Sequence, residues 1–363
     1  MFQENHASPG GLVNVVDMKP HYYHYKEPFH LEAGGVLPEL TIAYHTWGKL
    51  NAAKDNVIWI CHALTANSNA EDWWKGMIGE GSVFDPAQHF IICANILGSS
   101  YGTTGPTSIN SKTGEPYYHH FPLITIRDMV AAHELLRKQL GIQKIQLLAG
   151  GSMGGYQVLE WTVMHPSVIE RQFLIVTTAR ETAWGIAIHT AQRLAIEADS
   201  TWKDGGPKAG EKGLEAARAM GMVSYRNYTS FVATQTDETN EKLDDFKASS
   251  YVKHQGNKLT RRFNAHSYWT LTKALDTHNL ARGRADTVKA VLQGIKQPTL
   301  AIGIKGDVLC PAEEVQFIAR HIPHAKFIQI DSLYGHDGFL VETSAISAHI
   351  KEWLVPQPQT ISV

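Results

Sequence analysis

Short, almost uninterrupted apolar runs alternate along the chain with segments of helical periodicity, and this alternation limits the folds open to it. Such runs are typical of strands that helices cover on both faces. They fall at residues 40–44, Val57–Cys61, Phe90–Ala94, 145–149, 173–176, 299–304 and 327–330. Residues 125–140 instead space their apolar side chains three or four positions apart, which predicts a helix. The pattern predicts an α/β fold with a mostly parallel, doubly wound sheet.

The strand signal lapses between residues 179 and 295. Within that stretch, residues 186–198 and 213–225 have helical patterns, and a Gly-Pro break at residues 204–207 separates them. We therefore predict three segments, with residues 1–178 as the first part of the sheet domain, 179–295 as a helical insertion and 296–363 as the second part. Pro356 and Pro358 indicate a frayed polar tail.

The charge composition argues against nucleic-acid and membrane partners. Among 363 residues, 33 Lys and Arg stand against 35 Asp and Glu, which gives a net charge of −2 with no long basic run. Such a chain lacks the positive patch that attracts phosphate backbones and anionic lipids. No apolar run approaches the ~20 residues of a membrane span, and the first twenty residues lack the pattern of a secretory leader. We expect small-molecule partners and a cytoplasmic location.

The cysteines and histidines predict neither a disulfide framework nor a metal site. Cys61, Cys93 and Cys310 are odd in number, far apart and in no C-x-x-C pair, which fits a reducing compartment. His133 begins a pattern like the H-E-x-x-H of zinc proteases, but Arg137 occupies the place of the second histidine. We therefore expect no metal.

Ser152 lies in a G-x-S-x-G motif whose surroundings make it a candidate nucleophile. The motif, GGSMG at residues 150–154, follows an expected strand and precedes an expected helix. A sharp strand-to-helix turn lifts the serine hydroxyl above the sheet at the positive end of the helix. A second G-x-S-x-G motif at residues 98–102 runs into Gly105 and Pro106, which do not start a helix cleanly. The context therefore favours Ser152.

Asp307 and His336 follow Ser152 in the order that α/β-hydrolases use for nucleophile, acid and base. A serine hydroxyl is a weak nucleophile at neutral pH, so a histidine must take its proton and an acid must orient the histidine. Both residues come just after an expected strand. Asp331 is a rival to Asp307, but it lies at the end of the strand that leads to His336 rather than on an earlier one. We predict a triad of Ser152, Asp307 and His336.

Two backbone N–H groups are candidates for the oxyanion hole that acyl transfer needs. In this fold they belong to the residue after the nucleophile and to a loop after an early strand. Met153 follows Ser152, and Leu64 lies in the loop directly after Val57–Cys61. We predict these two residues as the donors; the alternative for the loop of Leu64 is a plain surface turn.

Several segments in one order resemble the homoserine O-acetyltransferases of methionine biosynthesis. Those in the sheet domain are HALT at residues 62–65, TGPTS at 104–108, FPLITIRDM at 121–129, AGGSMGG at 149–155 and GHDGFL at 335–340. Those in the insertion are WGIA at residues 184–187, QRLAI at 192–196 and HQGNK at 254–258. The resemblance covers most of the chain and is far more specific than the G-x-S-x-G motif alone.

The resemblance implies an α/β-hydrolase core with a helical lid at residues 179–295, a homodimer, and transfer of an acetyl group from acetyl-CoA to the side-chain hydroxyl of L-homoserine through an ester on Ser152. Acetyl-CoA would be a co-substrate, and no metal or prosthetic group is implied. Carried over by motif, Arg193 would bind the substrate carboxylate through two parallel hydrogen bonds, and Asp337 would bind the substrate ammonium.

Three departures from the family pattern leave the donor and the acceptor open. Ala66 stands where Gly commonly closes the loop of HALT, Tyr156 stands where Met is usual, and residues 99–101 replace a more familiar Gly-Cys stretch. Similar enzymes use acetyl or succinyl donors and homoserine or serine acceptors. The sequence is also compatible with an esterase or thioesterase of the same fold, in which Arg193 and Asp337 have no role, and with a non-catalytic binding protein.

Overall fold

The computed structural model describes residues 19–355. Residues 1–18, which bear on the prediction about a secretory leader, and the predicted tail at 356–363 lie outside the described residues. The strands are β1 His21–Tyr25, β2 Phe29–His30, β3 Val36–Leu37, β4 Leu40–Trp47, β5 Val57–Cys61, β6 Phe90–Ala94, β7 Leu147–Gly151, β8 Gln172–Ile175, β9 Thr299–Lys305 and β10 Ala325–Asp331. The helices are α1 Ala70–Trp73, α2 Ile126–Gln139, α3 Met153–Met164, α4 Ala183–Glu197, α5 Glu211–Tyr225, α6 Tyr228–Gln235, α7 Lys247–Thr260, α8 Ala265–Asp276, α9 Val288–Gly294, α10 Ala312–His321, α11 Gly338–Val341 and α12 Thr343–Leu354.

Eight of these strands form one sheet in the order β1-β4-β6-β5-β7-β8-β9-β10. The pairs from β6 through β10 are parallel, whereas β1 and β4 form an antiparallel edge. This architecture confirms the prediction of a mostly parallel α/β sheet. Because parallel strands end at the same edge of a sheet, the loops after β5, β7, β9 and β10 meet there.

The central strands are buried on both faces, as their apolar runs predict. Trp59 and Cys61 of β5 belong to one apolar core, whereas Ile58 and Ile60 belong to a second core on the opposite face. Side chains alternate between the faces of a strand, so a continuous apolar run is what two covered faces require.

Two strands differ from the expectation. The run at residues 327–330 belongs to β10, which is an edge strand with Phe327 and Ile328 only half-buried, so full cover on both faces was wrong there. Strand β1 was not predicted at all, because His21 to Tyr25 is a polar-aromatic stretch without an apolar run. It pairs with β4 along the other edge of the sheet.

The predicted helix at residues 125–140 is α2, which begins where its sequence sets a cap. Thr125 accepts a hydrogen bond from the backbone N–H of Asp128, and the Asp128 carboxylate accepts one from the backbone N–H of Thr125. The buried face of α2 includes Met129 and Leu136, as the helical spacing predicts.

Helices α4 to α9 lie between β8 and β9. Helix α4 packs against α5 and α8, and α5 packs against α7. Arg127 of α2 donates hydrogen bonds to the carbonyls of Asn279 and Arg282, at 3.3 and 2.7 Å, and thereby ties the end of this segment to the sheet domain. Helices thus occupy the stretch 179–295, and its action as a lid stays a prediction. Within residues 19–355, no helix is long and apolar enough to cross a bilayer.

Candidate active site

Ser152 occupies a strained turn between β7 and α3. Its backbone has φ +55° and ψ −126°, a region that residues with a side chain seldom adopt. The glycines of the motif permit this turn, since a Cβ on Gly154 would lie 2.1 Å from the carbonyl oxygen of Cys61 and one on Gly150 would lie 2.5 Å from the backbone of Gly154. The G-x-S-x-G pattern therefore reflects close backbone contacts on both sides of the serine.

The structure brings Ser152, His336 and Asp307 into one hydrogen-bonded line. The Nε2 atom of His336 lies 2.9 Å from Ser152 Oγ, and its Nδ1 lies 2.8 Å from Asp307 Oδ2. Because an ionised carboxylate only accepts, Nδ1–H donates to Asp307, and Nε2 then accepts from the serine hydroxyl. Asp307 follows β9 and His336 follows β10, so the loops at one sheet edge supply all three residues.

The Asp307 carboxylate is held in place on both of its oxygens. Its Oδ1 accepts hydrogen bonds from the backbone N–H groups of Leu309 and Cys310, at 2.8 and 2.9 Å. The rival Asp331 has a side chain that is 82% exposed and pairs with Lys305, so it does not reach the imidazole of His336. The geometry therefore supports the preference for Asp307 as the acid.

Opposing effects set the pKa of His336. Burial favours the neutral imidazole and lowers the pKa, but the charge and hydrogen bond of Asp307 favour the imidazolium and raise it, with smaller contributions from Asp337 and Glu181. The carboxylates prevail, so the pKa of His336 lies above its usual value. An imidazole of raised pKa is a stronger base toward a serine hydroxyl.

The loop that carries Leu64 is fixed from below by two buried side chains. His62 Nε2 accepts a hydrogen bond from the backbone N–H of Ile96 at 3.0 Å, so its Nδ1–H donates to the Ala63 carbonyl at 2.9 Å. Burial lowers the pKa of His62 to about 4, which keeps this ring neutral. Gln157 donates from its amide to the carbonyls of His62 and Met153, at 3.1 and 3.2 Å. Sequence analysis missed both roles, although His62 directly follows β5.

Ser152 opens into a chamber of about 420 Å³ between the sheet domain and the inserted helices. The predicted residues Leu64, Met153 and Asp337 line it together with Ser152 and His336. The inserted helices and the loops beside them contribute a set of mostly polar side chains, namely Glu181, His189, Arg218, Tyr225, Lys258, Arg262 and Leu275. The chamber thus brings the candidate nucleophile, the candidate base and several charged groups together in one space.

The structure does not bring Arg193 to this chamber. Its Nη2 atom lies 2.5 Å from Asp276 Oδ2 on α8, and Arg193 is not among the residues that line the chamber. Its guanidinium instead pairs two inserted helices, α4 and α8. A helical pattern places an arginine on a helix but does not say which neighbour its side chain reaches.

Arg218 and Tyr225, both on α5, also line the chamber. Sequence analysis assigned no role to either residue. The guanidinium of Arg218 lies 5.2 Å from the centre of the Tyr225 ring, and that ring lies 5.8 Å from the His336 imidazole. Asp337 lies at the same end of the chamber, where Arg226 lies 3.4 Å from its carboxylate. Burial raises the pKa of Asp337, and the charges of Arg226 and Arg218 oppose that rise. A guanidinium and a carboxylate therefore both lie near the imidazole of His336.

Among residues 19–355, no group of three or more His, Cys, Asp or Glu side chains is arranged to hold a metal ion. The described part of the chain contains Cys61, Cys93 and Cys310 as free, buried thiols. Burial raises the pKa of each of these thiols well above its usual value.

Comparison with known proteins agrees with this geometry. A family model of the alpha/beta hydrolase fold matches residues 56–343. A homoserine O-acetyltransferase of Cyclobacterium marinum is 46% identical over 339 residues, which cover 93% of this chain and 96% of that protein. The crystal structure of the homoserine O-acetyltransferase of Bacillus anthracis has a TM-score of 0.87 at 26% identity and covers 93% of this chain and 98% of its own. The structure of esterase E22, at a TM-score of 0.84 and 24% identity over 92% of this chain and 99% of that one, shares the fold.

Proposed function

The chain belongs to the homoserine O-acetyltransferase family of the α/β-hydrolase fold, and on this basis we propose that it transfers an acetyl group from acetyl-CoA to the side-chain hydroxyl of L-homoserine. The observation that carries the proposal is the Ser152–His336–Asp307 line, which opens into a chamber with charged groups for an amino acid. The membership agrees with the resemblance read from the sequence.

The first half of the reaction transfers the acetyl group from acetyl-CoA to Ser152. Ser152 Oγ attacks the thioester carbonyl carbon while His336 Nε2 takes the hydroxyl proton. The carbonyl oxygen becomes an oxyanion, to which the backbone N–H groups of Leu64 and Met153 donate. Collapse of this intermediate breaks the carbon–sulfur bond, the proton on His336 passes to the sulfur, and coenzyme A leaves.

The second half of the reaction transfers the acetyl group from Ser152 to the acceptor. The homoserine hydroxyl gives its proton to His336 Nε2 and attacks the acetyl ester on Ser152. The same two N–H groups stabilise the oxyanion, and the proton on His336 returns to Ser152 Oγ as O-acetylhomoserine leaves. Water is the competing acceptor, so transfer prevails only where the chamber limits water and holds the amino acid at a high effective molarity, which can reach about 10⁵ M or more. We therefore assign the helices of residues 179–295 the role of a lid.

We assign the acceptor's two charged groups to Arg218 and Asp337. Both line the chamber beside His336, whereas Arg193 is engaged with Asp276. A guanidinium binds a carboxylate through two parallel hydrogen bonds, and Asp337 offers a carboxylate to the ammonium. We thus transfer the role that the resemblance gave Arg193 to Arg218.

Arg218→Gln is expected to raise the KM for homoserine by about 10- to 100-fold, since a hydrogen bond to a charged group is worth roughly 1.5–3 kcal/mol. The KM for acetyl-CoA should change far less. Steady-state kinetics with each substrate varied in turn measure both constants. Arg193→Gln is the comparison variant, and its effect should fall on the melting temperature because it breaks a buried ion pair. A raised KM in Arg193→Gln but not in Arg218→Gln would return the role to Arg193.

The function itself is tested by measuring coenzyme A release from acetyl-CoA with and without homoserine. We expect release to depend on homoserine and to match the amount of O-acetylhomoserine found by mass spectrometry. Release that ignores homoserine would instead identify a thioesterase. Succinyl-CoA and serine, offered in parallel, should give much less product, and a preference for either would replace the donor or the acceptor in this proposal.

The remaining assignments follow from the family. We propose that acetyl-CoA is a co-substrate, that no metal or prosthetic group takes part, and that the enzyme acts as a homodimer in the cytoplasm. The composition supports the absence of nucleic-acid partners, since the net charge is −2.

A further inference from the structure

We propose that Lys258 and Arg262 bind the phosphate groups of the acyl donor at the mouth of the chamber, and we call this pair the phosphate site. The inference rests on the proposed function, since it concerns how that reaction takes its donor. Both side chains line the same chamber as Ser152, and both are exposed, whereas His336 is buried. A molecule that reaches from Ser152 to solvent along this wall therefore passes them.

The two cations lie together at one end of α7. Lys258 belongs to the last turn of that helix, and Arg262 lies two residues beyond its end. Lys258 is exposed and is a partner in none of the ion pairs within residues 19–355, so its charge is available to a ligand. The Arg262 guanidinium donates to the carbonyl of Thr65 at 2.6 Å and to the hydroxyl of Tyr101. These bonds hold Arg262 at the mouth, next to the loop that carries Leu64.

One carboxylate accompanies the pair among the described lining residues at the mouth. Asp72, at the α1 side of the chamber, is exposed and lines the same wall region as Trp73. The cation Arg218 lies deeper, against Tyr225 beside His336. The mouth therefore has two exposed cations against one anion.

Coenzyme A suits this distribution of charge. Its thiol ends a long, uncharged arm, and its diphosphate and 3′-phosphate lie at the other end of that arm. When the thioester carbonyl is at Ser152, the arm runs along the apolar part of the wall, where Leu64 and Leu340 lie, and the phosphates emerge beside Lys258 and Arg262. A guanidinium binds phosphate through paired hydrogen bonds and an ammonium acts as a point charge. Exposed cations also speed the approach of an anionic ligand.

The test compares donors with and without phosphates in Lys258→Gln, and in the double variant with Arg262→Gln. The donors are acetyl-CoA and S-acetyl-N-acetylcysteamine, a thioester that lacks the phosphates. We expect the ratio of kcat/KM for acetyl-CoA to that for the short thioester to fall about tenfold in the single variant at low salt, and further in the double variant. Asp72→Asn should shift the ratio the other way. Lys253→Gln is the matched control, because Lys253 is exposed on the same helix but does not line the chamber.

Calorimetric binding of coenzyme A and of pantetheine separates this inference from the proposed function, because it requires no transfer. We expect Lys258→Gln to weaken coenzyme A binding about tenfold while leaving the affinity for pantetheine within twofold. If Lys258→Gln weakens coenzyme A binding as expected but the wild-type protein makes no O-acetylhomoserine, the phosphate site is supported and the proposed reaction is contradicted. A protein that makes the product, but in which Lys258→Gln and Lys253→Gln behave alike with both donors, would overturn the phosphate site.

Discussion

Ser152→Ala is expected to lower the rate of acetyl transfer by at least about 10⁴-fold, because it removes the atom that forms the ester and leaves only binding and the oxyanion hole. The loss should appear in kcat, since the charged side chains proposed to bind acetyl-CoA and homoserine are unchanged in the variant. Coenzyme A release measures the rate. Mass spectrometry of the protein after a pulse of acetyl-CoA should detect an acetylated chain in the wild type and none in the variant.

Ser100→Ala is the matched control for that experiment. Ser100 is the central serine of the second G-x-S-x-G motif, and its hydroxyl accepts a hydrogen bond from the side-chain amide of Asn264 at 2.9 Å. Ser100→Ala removes this contact and the one that the hydroxyl accepts from the backbone N–H of Asn264, at 3.3 Å. Both contacts lie away from Ser152, His336 and Asp307, so the rate should stay within a few-fold of the wild type. Equal losses in both variants, or an acetylated Ser152→Ala protein, would contradict the assignment of the nucleophile.

Asp307→Asn is expected to lower kcat by about 10³- to 10⁴-fold, because the amide no longer holds the imidazole in the orientation that leaves Nε2 free to accept a proton. The variant should also change the pH profile. His336 works only when neutral, and the carboxylates raise its pKa, so wild-type kcat/KM should decline as the pH falls through a value above that usual for histidine. Without the Asp307 charge this acid limb should move to lower pH. Rates measured across the pH range check both effects.

Asp331→Asn provides the corresponding control. Asp331 is exposed and pairs only loosely with Lys305, at 3.7 Å, so its loss should leave both the rate and the acid limb near the wild-type values. A large loss in Asp331→Asn, together with a small one in Asp307→Asn, would exchange the acid of the triad.

The sheet and the hydrogen-bonded line of Ser152, His336 and Asp307 were predictable for the same physical reason. Apolar runs such as Val57–Cys61 and Phe90–Ala94 coincide with β5 and β6, because a strand buried on both faces tolerates almost no polar residue. Parallel strands end at one edge of the sheet, so residues that directly follow different strands come close together there. Their proximity can be predicted without knowledge of any tertiary contact. Ser152, Asp307 and His336 could therefore be selected from chain order and strand ends alone.

The arginine of the inserted helices that reaches the chamber could not be selected in this manner. Arg193 and Arg218 both lie on helices that the periodicity predicts, α4 and α5, but which of them faces the chamber depends on how those helices pack. Six inserted helices in the described chain can pack in many ways, and their sequence patterns mark a buried stripe rather than a partner. The edge strand β1 was missed for a related reason, since it has little apolar burial to leave a pattern.

The backbone at Ser152 sets folding and reactivity against each other. Its positive φ is a conformation that glycine adopts freely and that other residues adopt at an expense of ~1–3 kcal/mol. A glycine at this position would relieve the strain and make the folded state more stable, but it would remove the hydroxyl on which the proposed reaction depends. The serine therefore uses part of the stability that the rest of the molecule supplies, and this leaves less margin for other destabilising substitutions.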